Sequence, residues 1–349
     1  MSLQTTCIGA YPKPGYVPVR DWFQGESHNE STGNYESQIA SVGSEDAEAI
    51  FVRAAGEVIA DQVSAGIDVP TDGEVRRENY IHYHCRHLEG FDFVNRTRTT
   101  ARDGACEIDL PTIRGPIKPK GNHFLPSDFK SAQVFTNRPL KVTVPGPLTV
   151  ADTSANEFYD DPVRLGADLA DAINFEVRAL AEAGCRVIQI DEPLFARKAP
   201  QALDYGIEHL MRCFHGVPDG VTKVMHMCCG YPNYLDQTDY AKADPKSYFV
   251  LADAVDAAGL DQISIEDAHR HNDLALLERF TRSKVIFGAV AIAQSQVESV
   301  EEISERLKQA LGHIDKDRLI AAPDCGLGFL GRDLAWRKLR NLCLAAQNV

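Results

Sequence analysis

Between residues 223 and 233 the chain reads KVMHMCCGYPN, which sets a histidine and two cysteines within four positions at the end of a short apolar run. In an extended strand, residues two apart face the same side, so His226 and Cys228 project together while Met225 and Met227 face away. Imidazole nitrogen and thiolate sulfur are donors that suit zinc, which takes three or four N, S or O ligands in a tetrahedral array. On its own, H-x-C fits a hydrogen-bonded core histidine beside a buried cysteine better than it fits a metal site. Two more donors shift that balance: Glu266 closes QISIE (262–266), and Cys325 lies in LIAAPDCG (319–326). If those run ends meet, His226, Cys228, Glu266 and Cys325 form a four-donor site for Zn2+. Cys229 points away from Cys228 if the strand continues, and is assigned to packing.

What would bring these ends together is a set of parallel strands that stop on one face. Short β-branched runs recur along the chain, each followed by a longer amphipathic stretch: TTCIGAY (5–11), GIDVPTDGE (66–74), KVTVPGP (141–147), RVIQIDEP (186–193), KVMHMCC (223–229), QISIE, VIFGAVAI (285–292) and LIAAPDCG. After YDDP, Asp161 is a natural N-cap with Pro162 at the first helical position. Leu165, Leu169, Ile173, Val177 and Leu180 then make one apolar stripe before Gly184. Val297, Val300, Leu307, Leu311 and Ile314 predict a similar helix before the last run. Mostly apolar strands alternating with amphipathic helices indicate parallel βα units with both sheet faces covered. Eight of them predict an α/β fold, a (β/α)8 TIM barrel spanning 1–349 as one catalytic domain. Residues 92–140, rich in Pro and Gly, predict a β-hairpin insertion between the second helix and the third strand. In such a barrel the chemistry belongs at the carboxyl ends of the strands, and there stand Asp72 and Glu74, Asp191 and Glu192, His226 and Cys228, Glu266, and Asp324 and Cys325. Helix N-capping accounts for a fraction of those acids.

Composition narrows the partners. The 349 residues are 44% hydrophobic and 25% charged, in the ordinary range for a globular chain. Thirty-six basic residues against fifty acidic ones give a net charge of −14, and no Lys/Arg-rich segment offsets it. Nucleic acid and membrane surfaces are therefore poor partners. The opening MSLQTTCIGAYPKP lacks a basic stretch followed by an apolar one, which predicts a cytoplasmic protein. Nine cysteines in a reducing compartment are expected as thiols or metal ligands rather than disulfides. Cys7, Cys85, Cys106, Cys185 and Cys213 are expected as small buried hydrophobes.

Taken in order, TTCIGAYPKP, DGEVRRENYIHYH, VPGPLTV, IQIDEP, HMC, SIE and PDCGLG resemble the successive motifs of the catalytic barrel of cobalamin-independent methionine synthase, over nearly the whole chain. The resemblance implies methyl transfer to homocysteine. It places the zinc ligands on His226, Cys228, Glu266 and Cys325. It places the substrate contacts on Asp191, which would hold the amino group, on Glu74, and on the backbone of Ile8, Gly9 and Ala10 near the carboxylate.

Four departures accompany it. Ala10 stands where the family has a serine, and Thr153 where it has a tryptophan that stacks on the folate pterin. Ala293 stands where it has a histidine thought to act as acid. The family's full-length form carries a second, N-terminal barrel, whereas these residues match the catalytic one. EDAHRHND (266–273) offers His269 or His271 as a replacement acid. The expected acceptor is homocysteine or another small thiol. The expected donor is methylcobalamin, a methylated corrinoid protein or methylfolate. Two alternatives remain: alkyl transfer to a different thiol such as coenzyme M, and a non-catalytic zinc-binding barrel. Asp191 and Glu74 favour the enzyme, because a structural zinc needs no amino-acid pocket.

Overall fold

The computed structural model of the chain describes residues 2–22, 28–101 and 106–349. Seven strands form one sheet: β1 (Gln4–Thr5), β2 (Lys141–Pro145), β3 (Val187–Asp191), β4 (Thr222–Met227), β5 (Gln262–Ile265), β6 (Lys284–Val290) and β7 (Leu319–Pro323). They run in the order β1-β7-β6-β5-β4-β3-β2, every neighbouring pair parallel. Every residue of β2, β3 and β7 is buried, as a parallel sheet covered by helices requires. This is an α/β fold built on a curled parallel sheet. The second apolar run enters as two single parallel bridges, Thr6 with Val69 and Thr71 with Lys141, which set residues 69–71 between the edge strands β1 and β2. Pro70 lies between them and has no N–H to give to a ladder, although its carbonyl accepts the Lys141 amide at 2.8 Å.

The helices follow their apolar stripes with one adjustment. Helix Pro162–Glu182 starts where Asp161 accepts the Val163 amide at 2.9 Å, and it buries Leu165, Leu169, Ile173, Val177 and Leu180. The stripe expected from Val297 to Ile314 is a shorter helix, Val300–Ala310. A capping box between Ser299 and Glu302 fixes its first turn after Val297, and the buried face runs through Ile303, Leu307 and Ala310. Strand Leu88–Ala101 pairs antiparallel with Cys106–Pro119, beginning four residues before the expected boundary. Residues beyond 119 add a helix, Leu125–Gln133. Among the described residues no helix is long and apolar enough to cross a membrane.

Glu192, fully buried just beyond β3, ties the sheet to the next layer. Its Oε1 accepts the Leu148 amide at 3.0 Å, and its Oε2 accepts the Thr149 amide at 3.0 Å and the Thr149 hydroxyl at 2.7 Å. These are first-turn donors of helix Pro147–Asp152, which have no partner inside the helix. A side chain at Gly146 would meet the Glu192 carboxyl at 2.2 Å, so only glycine admits this contact. Glu192→Ala leaves three buried donors unpaired and is expected to destabilise the protein by about 3 kcal/mol, read as a lower midpoint of urea unfolding.

Candidate functional site

β4 and β7 bring three of the four expected metal donors together. His226, Cys228 and Cys325 offer ligand atoms that all lie within 4.8 Å of one another, with His226 Nε2 and Cys325 Sγ 3.3 Å apart. The strand stops at Met227, so Cys228 sits one residue beyond it, while Met225 and Met227 are buried in the core as expected. In the sheet His226 stands between Asp191 of β3 and Ser264 of β5. Ser264 Oγ engages His226 Nδ1 at 2.9 Å, which leaves Nε2 facing the thiols, the arrangement that orients metal-binding imidazoles. A hydrogen bond from Cys325 pulls the Cys228 thiol well below the ordinary range; burial opposes this and His226 adds to it. Donating that bond, and being buried, holds Cys325 well above the range. Burial opposes charge on His226, but Cys228 and the carboxylates of Asp191 and Glu266 carry its pKa upward. Two sulfurs and one oriented imidazole are a donor set that fits zinc.

Glu266 stands apart from this trio. It follows β5 and is buried, and its Oε2 accepts from Lys242 Nζ at 3.0 Å. Burial, with the charge of Cys228 added, pushes Glu266 up to about 8.

The positions of Glu266 and Cys325 are linked through Asp324. Asp324 Oδ1 accepts the amides of Asp267 and Ala268 at 2.9 and 2.8 Å, and Oδ2 accepts that of His269 at 2.7 Å. The carboxylate thus reaches from the end of β7, past β6, to the segment after β5. Gly288 of β6 makes this possible, since a Cβ there would lie 2.3 Å from Asp324 Oδ1 and 2.8 Å from its Cα.

A cavity of about 380 Å³ opens over the cluster. Ile8, Gly9, Ala10, Glu74 and Asp191 line it together with His226, Cys228 and Cys325. Glu74 has a positive φ of 56°, a conformation few non-glycine residues adopt and one that tends to mark functional sites. Its Oε1 accepts from Thr143 Oγ1 at 2.6 Å and lies 3.6 Å from Arg77. A side chain on Gly9 would meet that same oxygen at 2.7 Å. Burial raises the Glu74 pKa, opposed by Arg77. Burial also lifts Asp191 to about 7, with His226 opposing and Glu74 adding.

Thr153, Trp22 and Tyr231 also line the cavity, the two aromatic rings 5.7 Å apart. The two candidate acids are not among its lining residues. His269 Nε2 accepts the amides of Ile292 and Ala293 at 3.0 and 3.3 Å, so Nδ1 is the nitrogen left to carry a proton. Burial lowers its pKa to about 4. His271 is exposed.

Cys7, Cys85, Cys185, Cys213 and Cys229 are free and buried, whereas the Cys106 side chain lies outside the described residues. Sequence reasoning missed Lys242, which no motif marks in YAKADP (240–245), and also Gln189 and Lys141. Alternation held the signal for Gln189, because it shares a strand face with Asp191, to whose Oδ1 it donates at 2.8 Å.

Residues 3–348 match the family described as cobalamin-independent synthase, catalytic domain. A methionine synthase of Sulfolobus acidocaldarius is 31% identical over 342 residues, covering 97% of this chain and 90% of that protein. One from Saccharolobus solfataricus is 32% identical over 341 residues, covering 97% and 92%. Among solved structures, a B12-independent methionine synthase from a Shewanella species, in complex with selenomethionine, aligns with a TM-score of 0.86 at 28% identity over 100% of this chain and 98% of that one.

Metal-free protein titrated with zinc is expected to take up roughly one ion per chain. Cys228→Ser or Cys325→Ser should abolish most of that uptake, since a hydroxyl does not ionise near neutral pH; full uptake by both variants would remove the site. Gly288→Ala pushes Asp324 away from the 267–269 amides, and competition with a chromophoric chelator should then read zinc binding about 10–100-fold weaker.

Proposed function

The chain belongs to the family of cobalamin-independent synthase catalytic domains, and on that premise we propose that it is a zinc-dependent methyltransferase that makes methionine from homocysteine. The observation that carries this reading is one shared cavity, with the thiol and imidazole donors beside the buried carboxylates of Asp191 and Glu74. A purely structural metal site has no use for such a pocket. Bound at His226, Cys228 and Cys325, zinc would supply the Lewis acidity that keeps an acceptor thiol, with an ordinary pKa of about 8.5, ionised at neutral pH.

The chain's own groups do the rest. Asp191 accepts from the substrate ammonium, and the backbone of residues 8–10 receives its carboxylate, with Ala10 adding no hydroxyl. Glu74 is fixed by Thr143 and Arg77 at the same end of the cavity. Glu266, resting on Lys242, serves as the displaceable fourth donor. The same reading takes residues 69–71 as the eighth strand of a (β/α)8 barrel, with residues 1–349 as a single catalytic domain and the antiparallel pair as its insertion.

On the donor side, departures from the family motifs favour a methylated corrinoid, free or protein-bound, over methylfolate. Thr153 offers no ring to stack on a pterin. Ala293 offers no acid, and His269 has its Nε2 committed to backbone amides. General acid catalysis contributes about 10²–10⁴-fold, and cleaving a methyl–nitrogen bond needs it, whereas cob(I)alamin leaves without a proton.

The test supplies zinc-loaded protein and homocysteine with each donor in turn and measures methionine. Faster turnover with methylcobalamin or a methylated corrinoid protein is expected. Faster turnover with methyltetrahydrofolate overturns the donor assignment alone. No methionine from any donor, with the zinc X-ray absorption spectrum unchanged by homocysteine, overturns the acceptor as well.

A further inference from the structure

One cation beneath the pocket has no part in the chemistry above. Lys141, the first residue of β2, is 1% exposed, and its Nζ donates to the Cys7 carbonyl at 2.7 Å and to Gln189 Oε1 at 2.9 Å. Both partners are neutral, an unusual setting for a buried lysine and one that natural cores seldom keep without a purpose; burial lowers its pKa to about 7. Gln189, fully buried on β3, continues the chain: its Nε2 donates to the Ile8 carbonyl at 2.9 Å and to Asp191 Oδ1 at 2.8 Å.

The polarity of this relay has no freedom. The Ile8 carbonyl can only accept, so the NH2 of Gln189 must face it and Asp191, and its amide oxygen must face Lys141, which donates to it. Turning the amide over would set donor against donor at Lys141 and acceptor against acceptor at Asp191 and Ile8. Lys141 therefore governs both walls of the pocket, the backbone at residues 7–8 directly and Asp191 through Gln189. Asp191 is kept with one oxygen engaged as an acceptor and the other oxygen available to a ligand.

We propose that Lys141 and Gln189 are positioning residues for the α-amino-acid end of the acceptor, so that the pocket selects thiols bearing an α-ammonium over thiols that lack one. This rests on homocysteine as the acceptor. Neither residue touches the substrate; both act through Asp191 and the backbone of residues 7–8.

The test compares homocysteine with 4-mercaptobutanoate, which lacks only the amino group, by calorimetric titration of zinc-loaded protein. Wild-type protein should prefer homocysteine. Gln189→Glu keeps the Lys141 contact and nearly the same shape but cannot donate to Asp191; Lys141→Met removes the cation. Each substitution should weaken homocysteine about 10–100-fold and 4-mercaptobutanoate, which keeps the carboxylate received by residues 8–10, about 10-fold less, with zinc content unchanged, the difference expected from losing one charge-assisted contact. A merely structural role would weaken both thiols alike, and that result overturns the proposal. If Lys141→Met fails to fold, Gln189→Glu decides alone. A wild-type preference that survives substitution overturns this proposal while leaving the acceptor in place. Equal binding of the two thiols by wild-type protein overturns both.

Discussion

Three amide hydrogens converging on one carboxylate decide where this site can form. Asp324 is fully buried, and a carboxylate in that position is tolerated only when donors replace its lost water. Burial raises its pKa to about 6, while the amides of residues 267–269 oppose the shift. The price is a glycine on the intervening strand. In return, Glu266 and Cys325, nearly sixty positions apart in sequence, are held by hydrogen bonds that begin on the residue next to each. Asp267 extends the tie outward, because Arg306 on helix Val300–Ala310 grips it at 2.7 and 2.8 Å. The site is thus braced from behind the sheet as well as across it.

Around that brace the site gathers groups that would all be anionic, in a place where anions are poorly solvated. Each has its own answer. Glu266 has Lys242, Glu74 has Arg77 and the Thr143 hydroxyl, and Asp191 has Gln189 with Lys141 behind it. Cys228 has a proton shared from Cys325. The counter-groups come from separate segments, so no single loop movement can unbalance the whole cavity. A ligand's ammonium would add to this arrangement a positive charge beside Asp191.

Much of this was legible in the chain, and the reason is geometric. Parallel strands that end on one face put their last polar residue into the same space, so reading the ends of apolar runs found His226, Cys228, Cys325, Asp191 and Glu74 without knowledge of the turns between them. The helix Pro162–Glu182 was legible because its cap and stripe are local. What stayed hidden depends on contacts between distant residues. Lys242 gains its meaning only from Glu266, and the direction of His269 only from two backbone amides in the turn after β6. Asp324 stood out as a strand-end acid, yet its role needs Gly288, which looks like any glycine in an apolar run. The start of helix Val300–Ala310 was misjudged because the stripe was followed and the capping box at Ser299 was not.

The two lone bridges at Val69 and Thr71 have a mechanical consequence. Elsewhere in the sheet each strand pairs with its neighbour over at least two consecutive residues, but between β1 and β2 the pairing is reduced to single bridges on either side of Pro70. Such a seam is where a folded chain first breathes, because few backbone bonds must break for it to part. The Lys141 side chain crosses it to the Cys7 carbonyl, so a buried ammonium fastens what proline leaves loosely sewn. The pocket lies astride this seam, with residues 8–10 on one side and Glu74 just beyond it. Within the sheet, amide hydrogen exchange would be fastest along this seam and would slow when the cavity beside it is filled.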